Sequence, residues 1–347
     1  DNFLNSRRLL GDADADTFVA EVFADTQKKK DLQEWMMLET SSEALEQLQL
    51  AYPDVSFISK ARDLPDWADP ELMRKGSDFF ARHSEMVMSL LGLLSLPYCY
   101  TAAQGARVLH ITELIRKQTT KRLFDTAIFI WEVLGPNAFE KKGKAFAEIA
   151  KVRIVHAFVR HYINNSGKWD ESWGLAINQE DMAGTNLSFS LIVIRGLRLL
   201  GYRVSRPDEE AFLHIWAVVG SLSGLEEELI PEDASQAEFL DKRIKERQFV
   251  ASDHGKELTS ALIAHILSVN ESKATADDIK GLMKYLLGDE ISEKLSITSP
   301  KLPAYKLVLI RLLGAFKSVK PTGDLKLKYQ LAYSEFKLRS PALKQYV

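Results

Sequence analysis

Lys151-Val-Arg-Ile-Val-His156-Ala-Phe-Val-Arg160-His161 is the stretch of sequence that decides the fold of this chain. Its apolar residues recur at helical spacing, and they predict a helix over residues 144–163. Arg153, His156 and Arg160 stand at i, i+3 and i+7, so their side chains share one helix face. A buried face seldom carries two arginines without an anionic partner, and the pattern therefore indicates a binding site.

The chemistry of these three side chains suits a haem. A neutral imidazole can ligate iron, and guanidinium groups can pair with the haem propionates. We therefore expect His156 to be the metal ligand, with Arg153 and Arg160 contributing to cofactor binding. The alternative for His156 is a hydrogen-bonded core histidine. The alternative for the two arginines is a set of structural ion pairs with Glu148, Asp170 or Asp181.

A second polar group lies some 30 residues upstream, in Arg122-Leu-Phe-Asp125-Thr126. Arg122, Asp125 and Thr126 stand at i, i+3 and i+4, on one face of an otherwise apolar helix predicted over residues 122–134. A positive charge and a hydroxyl could stabilise a partly anionic dioxygen, and Asp125 could accept a proton or neutralise Arg122. All three are candidate catalytic residues. The structural alternative is a buried Arg–Asp pair beside a threonine bonded to its own helix.

The composition excludes several classes of protein. The chain has 347 residues, of which 46% are hydrophobic, and its net charge of -3 gives no indication of nucleic-acid binding. A single cysteine, Cys99, excludes an intramolecular disulfide and a cysteine-ligated metal cluster. No apolar run approaches the roughly 20 residues of a membrane span. We expect a cytoplasmic protein, and secretion after removal of a leader remains the alternative.

Apolar residues at helical spacing recur along the chain and predict an all-α protein of about twelve helices. Separate helices are expected over residues 70–83, 84–96 and 185–200, the last with Gly201 as its C-cap. Another begins at the cap residue Ser205, followed by Pro207. We divide the chain into an N-terminal helical extension (1–70), a core (71–234) and a C-terminal helical extension packed on that core (235–347).

Between about residues 78 and 234, the sequence resembles the family of latex clearing protein. That family includes a fungal oxygenase of mycophenolic acid biosynthesis and is defined by the rubber oxygenase catalytic domain. Four stretches carry the resemblance in the same order and spacing. They are Arg122–Thr126, Val152–Arg160, Ile177-Asn-Gln-Glu-Asp-Met-Ala-Gly-Thr-Asn-Leu-Ser-Phe-Ser190 and Leu200-Gly-Tyr-Arg-Val-Ser-Arg-Pro-Asp-Glu-Glu-Ala-Phe-Leu-His-Ile-Trp-Ala-Val-Val-Gly220.

The resemblance implies an all-helical haem b protein with a globin-like core around the haem. It implies that His156 is the proximal iron ligand and that Arg122 and Thr126 lie on the distal side. Asp125 takes the place of a distal lysine of the family. The family also has a distal glutamate about 16 residues before the arginine. The matching residues here, 104–107, contain no carboxylate, and Glu113 is the nearest candidate.

The function that the resemblance implies is that of a haem b-dependent oxygenase. Its substrates would be dioxygen and a small apolar, unsaturated, isoprenoid-like molecule, and the reaction would be oxidative cleavage of a C=C bond or hydroxylation. One alternative is a non-catalytic helical protein that binds haem or a lipid-like ligand, and another is a metal-free interaction module. A di-iron site, from the pairs His110/Glu113 and Glu210/His214, is a further possibility, although neither pair has the usual Glu-x-x-His order.

The C-terminal segment 301–347 is basic, with ten Lys and Arg residues against two Asp and Glu residues. Within it, Tyr305–Phe316 is amphipathic and carries Lys306 and Arg311, with Lys317 just beyond. The stretch could make peripheral contact with an anionic membrane or dock on a partner. The alternative is a solvated helix face with a buried apolar stripe. The sequence does not determine the oligomeric state.

Overall fold

The structure is a computed structural model and describes residues 2–112, 114–270, 274–319 and 323–339. Within these residues the chain forms nineteen α-helical segments and no β-strand beyond one isolated bridge between Ala102 and Phe249. The predicted all-α class is confirmed. The helices outnumber the twelve expected because the chain also forms short helices of one or two turns.

The N-terminal part of the chain forms five helices. They are α1 (Asn2–Arg7), α2 (Ala13–Ala24), α3 (Thr26–Met37), α4 (Ser42–Ala51) and α5 (Ser56–Ser59). Phe18, Trp35 and Leu45 from these helices form a buried cluster with Phe146 and Ile154 of a later helix. The N-terminal helices therefore pack directly on the helix that carries the sequence motif around His156.

The central part of the chain contains the helices that carry the candidate site residues. They are α6 (Pro70–Leu90), α7 (Leu96–Tyr100), α8 (Ala103–Ile111), α9 (Leu114–Leu134), α10 (Ala145–Asn164), α11 (Gln179–Phe189), α12 (Leu191–Leu199) and α13 (Arg206–Leu222). The last part of the chain forms α14 (Ala234–Gln248), α15 (Asp253–Ser268), α16 (Ala276–Leu287), α17 (Asp289–Lys294), α18 (Ala304–Val319) and α19 (Leu325–Leu338).

The start of α6 follows directly from its sequence. The Asp69 carboxylate accepts hydrogen bonds from the backbone N–H groups of Glu71 and Leu72, and Pro70 occupies the first helical position. The prediction of separate helices over 70–83 and 84–96 was wrong. The helix is continuous to Leu90 and passes through a π-helical turn, Leu91–Ser95, into α7, because no glycine, proline or capping pattern interrupts it near residue 84.

The helix predicted over 185–200 is instead divided at Ser190, whose backbone leaves the helical region between α11 and α12. Two predictions of nearby helix ends are confirmed. Gly201 follows α12 with φ +84°, a conformation that glycine adopts without steric cost. Ser205 caps α13, and its side chain accepts a hydrogen bond from the Asp208 N–H.

One large buried cluster joins the central and C-terminal helices. It includes Phe79 of α6, Ile130 of α9, Phe212 of α13, Met283 of α16 and Tyr329 of α19. Helices α6 and α13 pack along each other in the middle of this cluster. The long helices that carry the site residues are thus held on a common apolar core, which fixes their positions relative to one another.

Candidate functional site

Helices α9 and α10, which carry the two polar groups of the sequence, pack against each other. Arg122 lies twelve residues before the end of α9, and His156 lies eleven residues after the start of α10. At the helical rise, both are roughly 17 Å from the connecting turn. The two groups therefore lie on neighbouring helices at similar distances from that turn, but among the described residues no hydrogen bond joins Arg122 or Thr126 to His156.

His156 is half-buried in a part of α10 that is otherwise largely apolar. Burial, with a further contribution from the nearby Arg160 guanidinium, lowers its pKa to about 4. The imidazole is therefore neutral near pH 7, which is the form that ligates metals. Its Nδ1 atom is buried and has no hydrogen-bond partner among the described residues. The predicted alternative of a hydrogen-bonded core histidine therefore does not describe this atom.

Arg122 reaches from α9 to the end of α7. Its Nη2 donates a hydrogen bond to the Tyr100 hydroxyl at 3.1 Å, while its Nη1 is buried without a hydrogen-bond partner among the described residues. Burial raises the pKa of Tyr100, so its hydroxyl keeps its proton near pH 7. Tyr100 was not among the residues predicted from the sequence, because a tyrosine among the apolar residues of α7 looks like an ordinary core residue.

The structure separates Asp125 from Arg122 and Thr126. The Asp125 carboxylate pairs with Lys121 at 3.0 Å on the surface, and its side chain is 57% exposed. The expectation that Asp125 forms a compact polar group with Arg122 is therefore corrected. Asp125 is exposed because the opposite face of α9 carries Phe124 and Trp131 into the core. Thr126 donates its hydroxyl hydrogen to the Arg122 carbonyl oxygen at 3.0 Å, as the structural alternative predicted for this residue.

Arg153 and Arg160 are ion-paired with helix α2 and the residue before it. Arg153 binds Asp12 through two hydrogen bonds, of which the one from Nη2 measures 2.9 Å. Arg160 binds Asp16 at 2.6 Å. Structural ion pairs were the alternative to propionate binding, but their acidic partners are not those that the sequence suggested (Glu148, Asp170 and Asp181). In this structure both arginines attach α10 to the N-terminal helices.

Arg160 has a second partner in the backbone before α11. Its Nη1 donates to the Ile177 carbonyl oxygen at 3.2 Å, and the side chain is almost fully buried. Ile177 has φ +51°, a left-handed conformation that is unfavourable for a β-branched residue. Asn178, which follows it, caps α11 by accepting a hydrogen bond from the Asp181 N–H. Arg160 thus stabilises a strained turn that sets the start of α11.

The residue pairs considered for a di-iron site do not converge. His110 faces Glu257 of α15, and Glu113 lies outside the described residues. Glu210 pairs with Arg206, and the His214 Nε2 accepts a hydrogen bond from the Asp69 N–H. Among the residues that the structure describes, no group of three or more His, Cys, Asp or Glu side chains could hold a metal ion.

None of the described helices combines the length and the apolar character needed to cross a lipid bilayer.

Two known proteins are similar to this chain over most of its length. The rubber oxygenase of Streptomyces sp. (strain K30) is 27% identical over 244 residues, which are 70% of this chain and 60% of that protein. The alignment thus spans less than two thirds of the relative. The solved structure of latex clearing protein in the closed state matches with a TM-score of 0.75 and 23% identity, over 96% of this chain and 91% of that one. At this identity the match establishes the fold.

A family model described as "ER-bound oxygenase mpaB/B'/Rubber oxygenase, catalytic domain" matches residues 81–316. The resemblance seen in the sequence reached only to about residue 234, and this match corrects that limit. It extends the shared region through α14–α17 and most of α18. Because the model covers more than half of the chain, this protein belongs to the family of mpaB/B'-type and rubber oxygenase catalytic domains.

Proposed function

We propose that this protein is a haem b-dependent oxygenase that uses dioxygen on a small apolar, unsaturated, isoprenoid-like substrate. The observation that carries the proposal is the buried Nδ1 of the neutral His156 imidazole, which has no hydrogen-bond partner among the described residues. Burying a polar atom without a hydrogen-bond partner costs free energy, and coordination of the imidazole to iron would compensate for that cost. Membership of an oxygenase family supports the same reading.

In this proposal His156 holds the haem iron from α10. The haem, when bound, supplies the redox-active iron on which oxygenase chemistry depends. Arg153 and Arg160 act through their pairs with Asp12 and Asp16 by fixing the position of α10. Both donating guanidinium nitrogens of Arg153 are engaged by Asp12, whereas Arg160 keeps a buried Nη2 without a hydrogen-bond partner among the described residues. Positioning the helix is the role that we assign to both arginines.

Arg122 is the residue that we assign to stabilising negative charge on the oxygen substrate. Its Nη1 has no hydrogen-bond partner among the described residues, and its Nη2 donates a hydrogen bond to the Tyr100 hydroxyl. A fixed positive charge in a site that excludes water stabilises developing negative charge more strongly than it would in bulk water. The protonated Tyr100 hydroxyl is both an acceptor for Arg122 and a potential donor. Thr126 can contribute its hydroxyl once its bond to the Arg122 carbonyl is exchanged.

An absorption spectrum of the purified protein, recorded beside those of two variants, tests the proposal. We expect a Soret band that is lost or shifted in His156→Ala and retained in His161→Ala. His161 is a matched control on the same helix, where it packs against Phe23. A colourless protein that takes up no added haem would overturn the proposal, and so would a His156→Ala variant with an unchanged spectrum.

A second candidate function is non-catalytic binding of haem or of a lipid-like ligand. It is favoured by the absence of a carboxylate in residues 104–107, where the family resemblance places the base. Measuring dioxygen consumption by the haem-loaded protein with an isoprenoid alkene separates the two functions. Consumption that falls in Arg122→Gln identifies an oxygenase, whereas haem binding without any consumption identifies the binding protein.

A further inference from the structure

Helix α18 presents an apolar stripe to solvent. Six large apolar side chains stand at i, i+3, i+4, i+7, i+8 and i+11, and each is more than half exposed. They are Tyr305, Val308, Leu309, Leu312, Leu313 and Phe316. Single exposed apolar residues are common on protein surfaces, but a continuous helical stripe of six indicates an interaction surface. The structure therefore contradicts the alternative, considered from the sequence, that this apolar stripe is buried.

Contacts on the opposite side of α18 fix this orientation. Gly314 lies against the Leu200 carbonyl oxygen, so closely that a side chain there would collide with it. Near the start of the helix, Lys306 pairs with Asp278 at 2.6 Å. Near its end, the Ser318 hydroxyl accepts a hydrogen bond from the Arg203 N–H at 3.0 Å. With both ends and the middle attached, the helix cannot turn its apolar stripe toward the body of the protein.

The segment that contains α18 is basic in sequence, although Lys306 pairs with Asp278 and Lys317 lies 4.0 Å from the Glu85 carboxylate, both on other helices. Residues 294–323 contain no Asp or Glu and carry the cations Lys294, Lys301, Lys306, Arg311, Lys317 and Lys320. Arg311 and Lys317 lie on the two flanks of the apolar stripe, because helical spacing places them roughly 130° and 110° from its centre on opposite sides. Long basic side chains at such positions can extend to lipid headgroups while the stripe enters the acyl boundary.

We propose that α18 docks this protein on an anionic lipid bilayer, with its apolar stripe in the headgroup region and Arg311 and Lys317 on anionic headgroups. The charge decides between this occupant and a second copy of the chain. Two copies meeting through this face would bring cations of the same segment together, which is unfavourable, whereas a surface of phosphatidylserine attracts them. The proposal does not depend on haem or on the oxygenase reaction.

Vesicle flotation of the full-length protein tests the proposal. The wild type should bind vesicles that contain phosphatidylserine and should bind phosphatidylcholine vesicles far less. Leu309→Asp/Leu312→Asp should lose binding. Arg311→Glu/Lys317→Glu should lower the partition coefficient about tenfold or more, and added salt should have a similar effect.

Matched control variants carry the same changes elsewhere on the surface. Met37→Asp/Leu50→Asp alters two apolar residues of the N-terminal helices that are 86% and 82% exposed, and Lys30→Glu/Lys168→Glu reverses two exposed lysines. Both should bind like the wild type. Because all of these positions are exposed, circular dichroism melting curves should show that every variant is folded.

A direct readout uses Leu312→Cys labelled with a polarity-sensitive dye, with Leu50→Cys as its control. The native Cys99 is half-buried, and burial raises its pKa to about 11, so it reacts slowly with the dye. Anionic vesicles should shift the emission of the label at 312 to the blue and leave that at 50 unchanged. The proposal is overturned by equal binding to both vesicle types, by unaltered binding of the α18 variants, or by a dimer that Leu309→Asp/Leu312→Asp dissociates without any vesicle binding.

Discussion

Replacing Asp12 by Asn should destabilise the attachment of the N-terminal helices to α10. The Asp12 side chain is 4% exposed and that of Arg153 is 16% exposed, so the substitution leaves a cation in a poorly solvated place. Removing one partner of a buried ion pair typically costs about 3–5 kcal/mol. We expect about 3 kcal/mol here, because Arg153 keeps some exposure and lies over the Phe57 ring at 4.8 Å.

Asparagine is the informative substitution because it keeps the other role of Asp12. The Asp12 carboxylate also caps α2 by accepting a hydrogen bond from the Ala15 N–H, and asparagine caps helices about as well as aspartate. The measured loss therefore reports the charge pair. The control is Asp78→Asn on α6, whose partner Arg74 is 64% exposed. Exposed pairs of this kind contribute about 0–1 kcal/mol.

The assay is urea unfolding followed by far-ultraviolet circular dichroism and by tryptophan fluorescence, to which Trp35 of the N-terminal cluster contributes. Asp12→Asn should lower the unfolding midpoint far more than Asp78→Asn does. In an Arg153→Met background the same change should have little effect, because no cation remains to be stranded. Equal losses in Asp12→Asn and Asp78→Asn would refute the reasoning.

Three further predictions concern protonation, backbone conformation and the candidate site. Burial and the charges of Arg82 and Lys328 lower the pKa of His83 to about 4. Between about pH 6.5 and 4 the unfolded chain therefore binds more protons than the folded one, so the free energy of unfolding should fall as the pH falls through that window, by on the order of 3 kcal/mol for this group. His83→Phe should flatten the profile of unfolding midpoint against pH. An unchanged profile would contradict this prediction. Gly224 has φ +88° and lies against the Asp12 carboxylate, so Gly224→Ala should cost at least about 2 kcal/mol in thermal unfolding. The control Gly167→Ala should cost less, because Gly167 has φ +67° but open space around it. Equal losses in the two variants would count against the steric argument. In the haem-loaded protein, Tyr100→Phe should lower kcat for dioxygen consumption roughly tenfold with haem content and KM unchanged, and a change in KM alone would show that Tyr100 does not position Arg122.

Much of the local structure could be predicted from the sequence. The helical class followed from the spacing of apolar residues, and Ser205 and Gly201 marked helix ends because capping depends on the residues next to the cap. The motifs of α9, α10, α11 and α13 identified the family, although the resemblance was placed too narrowly at its C-terminal end. Features of this kind depend on residues that are close together in the sequence, so they can be predicted without knowing the tertiary structure.

The tertiary structure decided which groups meet. Asp12 and Asp16 pair with Arg153 and Arg160 across more than 140 residues, and Tyr100 meets Arg122 from another helix. Asp125 shares its helix with Arg122 yet faces solvent, since the face of α9 that enters the core is set by packing against α19 and α6. Spacing along a helix fixes which side chains share a face, but only the packing of whole helices determines whether that face meets a carboxylate, a hydroxyl or water, and therefore what its charged groups can do.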